Sequence, residues 1–165
     1  MAEKIIKLEW KLEALLQEKG ISATQLAYDL ERFELNLSVS QVTRLAYTSS
    51  KKLNADLLVA LAKYFDCDIG DILSNPEPKK RSRPRKKKKR NKKDLKLVWK
   101  AQRELELSGL TYRELSAELE AIGVQYDYST LYRVINNYPK RIDIEFLEGA
   151  MQVFNCDLED LVDVE

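Results

Sequence analysis

The chain has 165 residues, of which 44% are apolar and 33% are charged, and its 28 basic and 27 acidic side chains give a net charge of only +1. It contains no histidine and only two cysteines, which argues against a zinc site bound by four Cys or His ligands and against Ser-His or Cys-His nucleophilic catalysis. No apolar run approaches the roughly 18 residues that span a bilayer, and the first residues lack the apolar core of a signal peptide, so we expect a soluble cytoplasmic protein.

Positive charge is concentrated in the middle of the sequence. Residues 79–93 read KKRSRPRKKKKRNKK, whereas 12 acidic and 9 basic residues precede this stretch and 15 acidic and 7 basic residues follow it. Such a block repels itself and buries almost no apolar surface, so we predict a disordered linker over residues 76–94. It is either a solvated spacer or, as we favour, an arm for phosphates. The linker residues assigned to phosphate binding are Arg83, Arg85, Lys86, Lys87, Lys88, Lys89 and Arg90.

The sequence contains an internal repeat. Equivalent residues of the two copies are 89 positions apart, as Trp10 and Trp99 are. The two copies align without a gap from about residue 4 to residue 73, which indicates duplication. We therefore predict an N-terminal domain over residues 1–75 and a C-terminal domain over residues 95–165. The aligned identities include Trp10 with Trp99, Gly20 with Gly109, Leu30 with Leu119, Arg44 with Arg133, and Cys67 with Cys156.

Helix start and stop signals occur in the same order in both copies. A glycine ends the first helix, and Ser, Thr, Asn or Asp precedes each later one, as N-cap preferences require. The expected fold class is all-α, with five helices in each domain and a short extended segment before the first helix. The expected boundaries are Gly20 and Gly109 for the first helix, Ser22 and Thr111 for the second, Ser38 and Asp127 for the third, Asn54 and Asp143 for the fourth, and Asp68 and Asp157 for the fifth.

The tryptophans and cysteines each have a structural and a functional interpretation. We interpret Trp10 and Trp99 as core anchors, with ligand platforms as the alternative. Cys67 and Cys156 stand in the similar strings FDCD and FNCD, and we interpret both as small core residues with reactive thiols as the alternative. The sequence offers no ligand cluster and no phosphate-cradling glycine loop, so we expect neither an enzyme nor a cofactor.

The second and third helices of each copy form a helix-turn-helix candidate. The third helix is LSVSQVTRLAYT in the first copy and YDYSTLYRVINN in the second. Helical spacing turns Val42, Leu45, Leu131 and Val134 inward. A helix of this kind fits the DNA major groove, where its first turns reach base edges. The outer face then contains Val39, Ser40, Thr43 and Arg44 in the first copy, and Tyr128, Ser129, Tyr132 and Arg133 in the second.

Four strings resemble the Cro/C1-type (XRE-like) helix-turn-helix domains. They are EWKLEALLQEKGIS and FDCDIGDIL in the first copy, and VWKAQRELELSGLT and FNCDLEDLV in the second. The resemblance covers nearly the whole chain apart from the linker and implies two lambda-repressor-like domains whose third helices read DNA bases through the eight outer residues named above. It also implies that the loop after the third helix meets phosphates through Lys51, Lys52, Lys140 and Arg141.

Both copies depart from that family at one place. The turn between the second and third helices is about five residues longer than a usual helix-turn-helix turn. In this respect the second copy looks like the longer-turn modules of transposases and some winged repressors. The longer turn bears on the angle between the two helices and therefore on the individual base contacts.

The sequence thus favours a non-enzymatic, sequence-specific regulator that binds double-stranded DNA in the cytoplasm, at the nucleoid. Both predicted domains are acidic, so the basic linker would supply the nonspecific attraction and the third helices the sequence preference. Because the third helices differ, we expect two unlike half-sites for one chain, whereas a palindromic site would imply a homodimer. The alternative is a protein-interaction module whose acidic helical domains bind a protein while the linker holds nucleic acid nonspecifically.

Overall fold

The structure, a computed structural model, describes residues 6–48, 50–75 and 95–165. The predicted disordered linker, with its phosphate-binding residues from Arg83 to Arg90, lies outside the described residues. The described chain is mostly helical with short strands, as the sequence predicts. The first copy contains β1 (Glu9–Trp10), α1 (Leu12–Lys19), α2 (Ala23–Leu30), a 3₁₀ turn (Glu31–Phe33), α3 (Val39–Tyr47), β2 (Lys52–Asn54), α4 (Ala55–Phe65), α5 (Ile69–Ile72) and β3 (Leu73–Ser74). The second contains β4 (Leu97–Trp99), α6 (Ala101–Ser108), α7 (Tyr112–Ala121), α8 (Tyr128–Asn136), β5 (Arg141–Asp143), α9 (Ile144–Phe154), α10 (Leu158–Leu161) and β6 (Val162–Val164).

The helices begin and end at the residues that local chemistry selects. Gly20 and Gly109 follow α1 and α6 with φ of 66° and 70°, the left-handed conformation that ends a helix at little steric cost. At the other ends, side-chain oxygens accept first-turn N–H groups that would otherwise lack a partner. These N-cap residues are Ser22, Ser38, Asn54, Thr111, Asp127 and Asp143.

The extended segment before the first helix is present in both copies, and its partner is the end of the same copy. β1 pairs antiparallel with β3, so that Trp10 lies opposite Leu73. β4 pairs with β6 in the same way, and Trp99 lies opposite Val162. The period-two alternation predicts the first strand of each pair, whereas the second strand, which directly follows a helix of only four residues, is not among the sequence predictions.

A third strand pair joins the two copies to each other. β2 and β5 are antiparallel neighbours, and each follows the third helix of its own copy. The backbone N–H of Ala55 donates to the carbonyl of Lys140, and that of Ile144 donates to the carbonyl of Lys51. The backbone pairing therefore extends one residue beyond each strand. The sequence predicts these segments as separate loops. In the structure they form one ribbon, which we call the central ribbon (residues 51–55 and 140–144).

The apolar face predicted for the fourth helices is buried in both copies. Phe146 on α9 is 1% exposed and contacts the rings of Trp99 and Tyr126. Buried side chains from the two copies form one continuous apolar cluster. The predicted inward residues of α4 and α9 are all in it: Leu57, Leu58, Leu61, Phe146, Leu147 and Ala150.

The two cysteines are free thiols that pack into the fold. Cys156 is 2% exposed, and Cys67 is half-buried. Burial raises the pKa of the Cys67 thiol to about 12, and the nearby carboxylates of Asp71, Asp68 and Asp66 raise it further. Because the thiolate is the reactive form of cysteine, this environment suppresses the reactivity of Cys67.

We predict that iodoacetamide alkylates Cys67 in the native protein at pH 8 at least about a hundredfold more slowly than in the guanidinium-unfolded chain, because the thiolate fraction falls tenfold for each unit by which the pKa exceeds the pH. The native rate should still be rising at pH 10, beyond the pKa of an unfolded cysteine. Mass spectrometry of the labelled peptides separates Cys67 from Cys156. A native rate that levels off near pH 9 would contradict the raised pKa.

Candidate nucleic-acid interface

The third helices, α3 and α8, each have one buried face and one exposed face. Val42 in α3 and Leu131 in α8 are buried, as predicted, and one turn later so are Ala46 and Ile135. The other two residues expected to point inward, Leu45 and Val134, are half-buried and pack against the core. The apolar stripe therefore fixes which face of each helix remains in contact with solvent.

The residues predicted to read bases lie on the opposite face. Seven of the eight are exposed, and Val39 at the start of α3 is half-buried. Arg44 and Arg133 occupy equivalent positions in the middle of their helices and are both exposed. The Thr43 hydroxyl donates to the carbonyl of Val39 at 2.8 Å, which orients its methyl group on this face. The exposed residues are Ser40, Thr43, Arg44, Tyr128, Ser129, Tyr132 and Arg133.

Each tryptophan ties the beginning of its copy to the last turn of the third helix. The indole N–H of Trp10 donates to the carbonyl of Leu45, and that of Trp99 donates to the carbonyl of Val134 at 2.9 Å. Carbonyl groups in the last turn of a helix have no hydrogen-bond donor within the helix, and here the indole N–H supplies one. The tryptophans are therefore half-buried anchors that position the third helices.

The N-termini of the two helices are capped by different chemistry. Ser38 caps α3 through two reciprocal hydrogen bonds with Gln41. The N–H of Gln41 donates to the Ser38 hydroxyl at 3.2 Å, and the N–H of Ser38 donates to the side-chain oxygen of Gln41 at 2.8 Å. Asp127 caps α8 and accepts hydrogen bonds from the Ser129 hydroxyl and from the hydroxyl and N–H of Thr130. These bonds, above all the one from Ser129, hold the pKa of the Asp127 carboxyl well below its usual range. The second copy therefore carries a fixed negative charge where the first copy has a neutral hydroxyl.

An aromatic cluster distinguishes the outer face of α8 from that of α3. The ring of Tyr112 in α7 lies 5.9 Å from that of Tyr128 and 5.3 Å from that of Tyr132, and its hydroxyl accepts from the Asn136 side chain at 2.8 Å. Tyr128 and Tyr132 remain about half exposed, at 53% and 50%. At the corresponding positions the first copy has the smaller residues Ala23, Val39 and Thr43.

The lengthened turn between the second and third helices is anchored by its own packing. In the first copy part of it forms the 3₁₀ turn, and Glu34 then adopts a left-handed conformation with φ of 59°. In the second copy α7 is two residues longer than α2, and Gly123 with φ of 85° reverses the chain. Buried Val124 and a bond from the Ser116 hydroxyl to the carbonyl of Tyr126 hold this turn against α7. The extra residues thus form a packed connection between the two helices.

The four residues expected to meet phosphates after the third helices are brought together on the central ribbon. Lys52 and Arg141 lie in β2 and β5, and Lys51 and Lys140 directly precede these strands. All four are exposed. Lys52 forms a loose pair with Asp143 of the opposite strand, with Nζ and Oδ2 separated by 4.0 Å, and such surface pairs contribute little. Two clusters predicted in separate domains are therefore one basic cluster between the two copies.

Sequence reasoning missed several polar residues that share the outer faces. Gln41 is exposed three positions before Arg44, and Tyr47 is 62% exposed three positions after it. Asn136 lies at the same distance after Arg133. Helical spacing was the available signal, because residues three apart share a face.

Across residues 6–48, 50–75 and 95–165, no helix combines the length and apolar character needed to span a bilayer. In the same ranges, no three His, Cys, Asp or Glu side chains come together in a group that could hold a metal ion.

The sequence matches the model of one known protein family in both copies. A model of the Cro/C1-type HTH DNA-binding domain matches the chain twice, over residues 11–77 and 102–165. No curated protein and no solved structure matches the chain. Each match contains one pair of second and third helices, α2 with α3 and α7 with α8. The chain therefore belongs to the Cro/C1-type helix-turn-helix DNA-binding domain family, of which it contains two tandem copies.

Proposed function

We propose that the protein is a sequence-specific, non-enzymatic transcriptional regulator that binds double-stranded DNA with α3 and α8 in the major groove. It acts in the cytoplasm, at the nucleoid, and is divided into domains over 1–75 and 95–165 with the basic linker 76–94 between them. Bases are contacted by Val39, Ser40, Thr43, Arg44, Tyr128, Ser129, Tyr132 and Arg133.

The observation that carries this proposal is the equivalent exposure of Arg44 and Arg133. Both side chains project from helices whose inner faces are buried and whose two ends are fixed by an N-cap and a tryptophan. Arg bonds to the O6 and N7 atoms of guanine in a bidentate geometry, the commonest specific contact in the major groove. A helix held rigidly at both ends loses little conformational entropy when it makes such contacts.

Phosphate binding is assigned to the central ribbon and to the linker. Lys51, Lys52, Lys140 and Arg141 are exposed on or next to the paired strands that join the two copies, and each strand follows the third helix of its own copy. The 12 Lys and Arg residues of 79–93 add charge that the acidic copies lack. Neutralised phosphates release counterions, which contributes sequence-independent affinity.

We predict that Arg44→Ala and Arg133→Ala each weaken binding to the preferred site about 10- to 100-fold, because each change removes a contact worth about 1–3 kcal/mol of base discrimination. Affinity for random duplex and its salt dependence should barely change. Arg103→Ala removes the same charge from the exposed surface of α6 and serves as the control. Fluorescence anisotropy with labelled duplexes at several salt concentrations measures all three variants. Equal losses for Arg103→Ala and the two helix variants would contradict the assigned base contacts.

We predict that replacing the 12 basic residues of 79–93 with Ser and Gly flattens the plot of log binding constant against log salt by about 0.9 for each phosphate that the linker neutralises. The preferred sequence, selected from a random oligonucleotide pool, should stay the same. If the neutral-linker protein selects no sequence, the linker accounts for all the binding, and the acidic domains are better explained as a protein-interaction module.

We predict that Asp127→Ser strengthens DNA binding about two- to fivefold near 0.1 M salt, because it removes a carboxylate next to the phosphates that flank α8. Ser is an equally good N-cap, so the midpoint of thermal unfolding should stay within about 2 °C. Ser38→Asp, the reverse change at the matching position of α3, should weaken binding by a similar factor. Unchanged affinity in both variants would show that the helix N-termini lie far from phosphates.

A further inference from the structure

The two copies meet each other through equivalent residues. In the central ribbon Leu53 lies directly opposite Ile142, and these two positions are separated by the same 89 residues that relate the copies. The flanking pairs are Lys52 opposite Asp143 and Asn54 opposite Arg141. Replacing each residue by its equivalent in the other copy converts the first of these flanking pairs into the second, because Lys52 is equivalent to Arg141 and Asn54 to Asp143. A symmetry axis therefore passes between Leu53 and Ile142.

A second, independent contact lies on the same axis. α5 contacts α10, and Gly70 of α5 faces Glu159 of α10, which is again its equivalent 89 residues later. A Cβ atom built on Gly70 would lie 2.6 Å from Oε1 at the end of the Glu159 side chain, so the two residues are in close contact. The central ribbon and the α5/α10 contact thus give two points along one axis.

Contacts away from the axis occur in exchanged pairs, as two-fold symmetry requires. The N–H of Leu8, just before β1, donates to Oε1 of Glu148 on α9 at 2.8 Å. The equivalents of these residues are Leu97 on β4 and Val59 on α4, and both line one cavity between the copies. The residue just before β1 thus bonds to α9, and in the equivalent place β4 contacts α4.

From this symmetry we infer that a single chain reads two half-sites in inverted orientation, with the central ribbon over the DNA between them. The inference rests on the proposed function and specifies its ligand. Two-fold protein symmetry matches the two-fold axes perpendicular to the DNA axis, so operator halves mirror the protein. Copies related by translation would read direct repeats instead. The outer faces of α3 and α8 differ, so the two inverted halves are unlike in sequence.

Under this inference, a site with two inverted but unlike halves needs no second chain. Strand pairing and the α5/α10 contact already supply, within one chain, the isologous interface that a dimer uses. In the ribbon Leu53 and Ile142 are buried, so alternation places Lys52 and Arg141 on the opposite, exposed face. These two cations are related by the axis and flank the centre of the site.

The experiment makes the two recognition faces identical. Tyr128→Val, Thr130→Gln, Tyr132→Thr and Asn136→Tyr together give the outer face of α8 the residues that α3 has at the same positions, and Val39→Tyr, Gln41→Thr, Thr43→Tyr and Tyr47→Asn make the reciprocal protein. Wild type and both variants each select duplexes from a random pool. Each variant should select a site with two identical inverted halves, one from either half of the wild-type site. Sedimentation of the selected complexes should give one chain per duplex.

The outcomes separate the two proposals. Identical halves in direct orientation, or a full site that requires two chains, overturn the inverted arrangement and leave sequence-specific binding intact. If none of the three proteins enriches a sequence, the proposed function fails and the inference fails with it. The reciprocal pair of variants covers the case in which one of them does not fold, which circular dichroism detects.

A disulfide tests whether the ribbon lies within one chain in solution. The bonds from Ala55 to Lys140 and from Ile144 to Lys51 make Lys52 and Asp143 a non-hydrogen-bonded pair, with Cα atoms about 4.5 Å apart, close enough for a disulfide. With Cys67 and Cys156 changed to Ala, Lys52→Cys plus Asp143→Cys should oxidise to a monomer of altered gel mobility. Asn54→Cys plus Arg141→Cys is the symmetry-related repeat, and Lys52→Cys alone is the control. Disulfide-linked dimers as the main product of either pair would overturn the single-chain arrangement.

Discussion

The pairing of β2 with β5 is the constraint on which the arrangement of the molecule depends. Each strand connects the recognition helix of its copy to a buried fourth helix, so the pairing of two short segments orients both copies at once. Leu53 and Ile142 hold the ribbon against the apolar cluster, with 2% and 1% of their surfaces exposed. An antiparallel pair has a definite register, and a slip of one residue would expose these two side chains and bury their charged neighbours.

Charge is separated within each copy as well as between the copies and the linker. The basic residues of the ribbon precede α4 and α9, whereas carboxylates such as Asp68, Asp71, Asp157 and Asp160 follow these helices and cap α5 and α10. Each fourth helix has 11 residues, which at 1.5 Å per residue separates its two ends by about 16 Å, more than a Debye length at physiological salt. Acidic domains can therefore present a basic surface to DNA. Asp56 and Glu145 lie at the ribbon end, where the N-terminus of a helix stabilises negative charge.

The third helices illustrate how far local sequence predicts a site. Ser38 and Asp127 mark their starts, and the positions of Val42 and Leu131 identify their inner faces, so the exposure of Arg44 followed from spacing alone. Spacing could not indicate that Ser129 and Thr130 donate to Asp127, or that Tyr112 packs on Tyr128 and Tyr132. Those contacts depend on rotamers and on the path of the lengthened turn, which in turn depends on residues buried beneath it, such as Val124.

The sequence by itself determined the duplication, the helix boundaries, the segregation of charge and the family, because each of these is written in residues close together in the chain or repeated at a constant offset. Only the tertiary structure decided that the two copies meet about a two-fold axis and that their phosphate-binding loops form one ribbon. The physical reason is that strand pairing between residues 89 positions apart depends on backbone hydrogen bonds, which every residue type except proline can make, and on how two apolar surfaces fit together. Neither of these produces a local sequence pattern. The polar-apolar alternation of Lys52, Leu53 and Asn54 is too short to identify the strand with which it pairs.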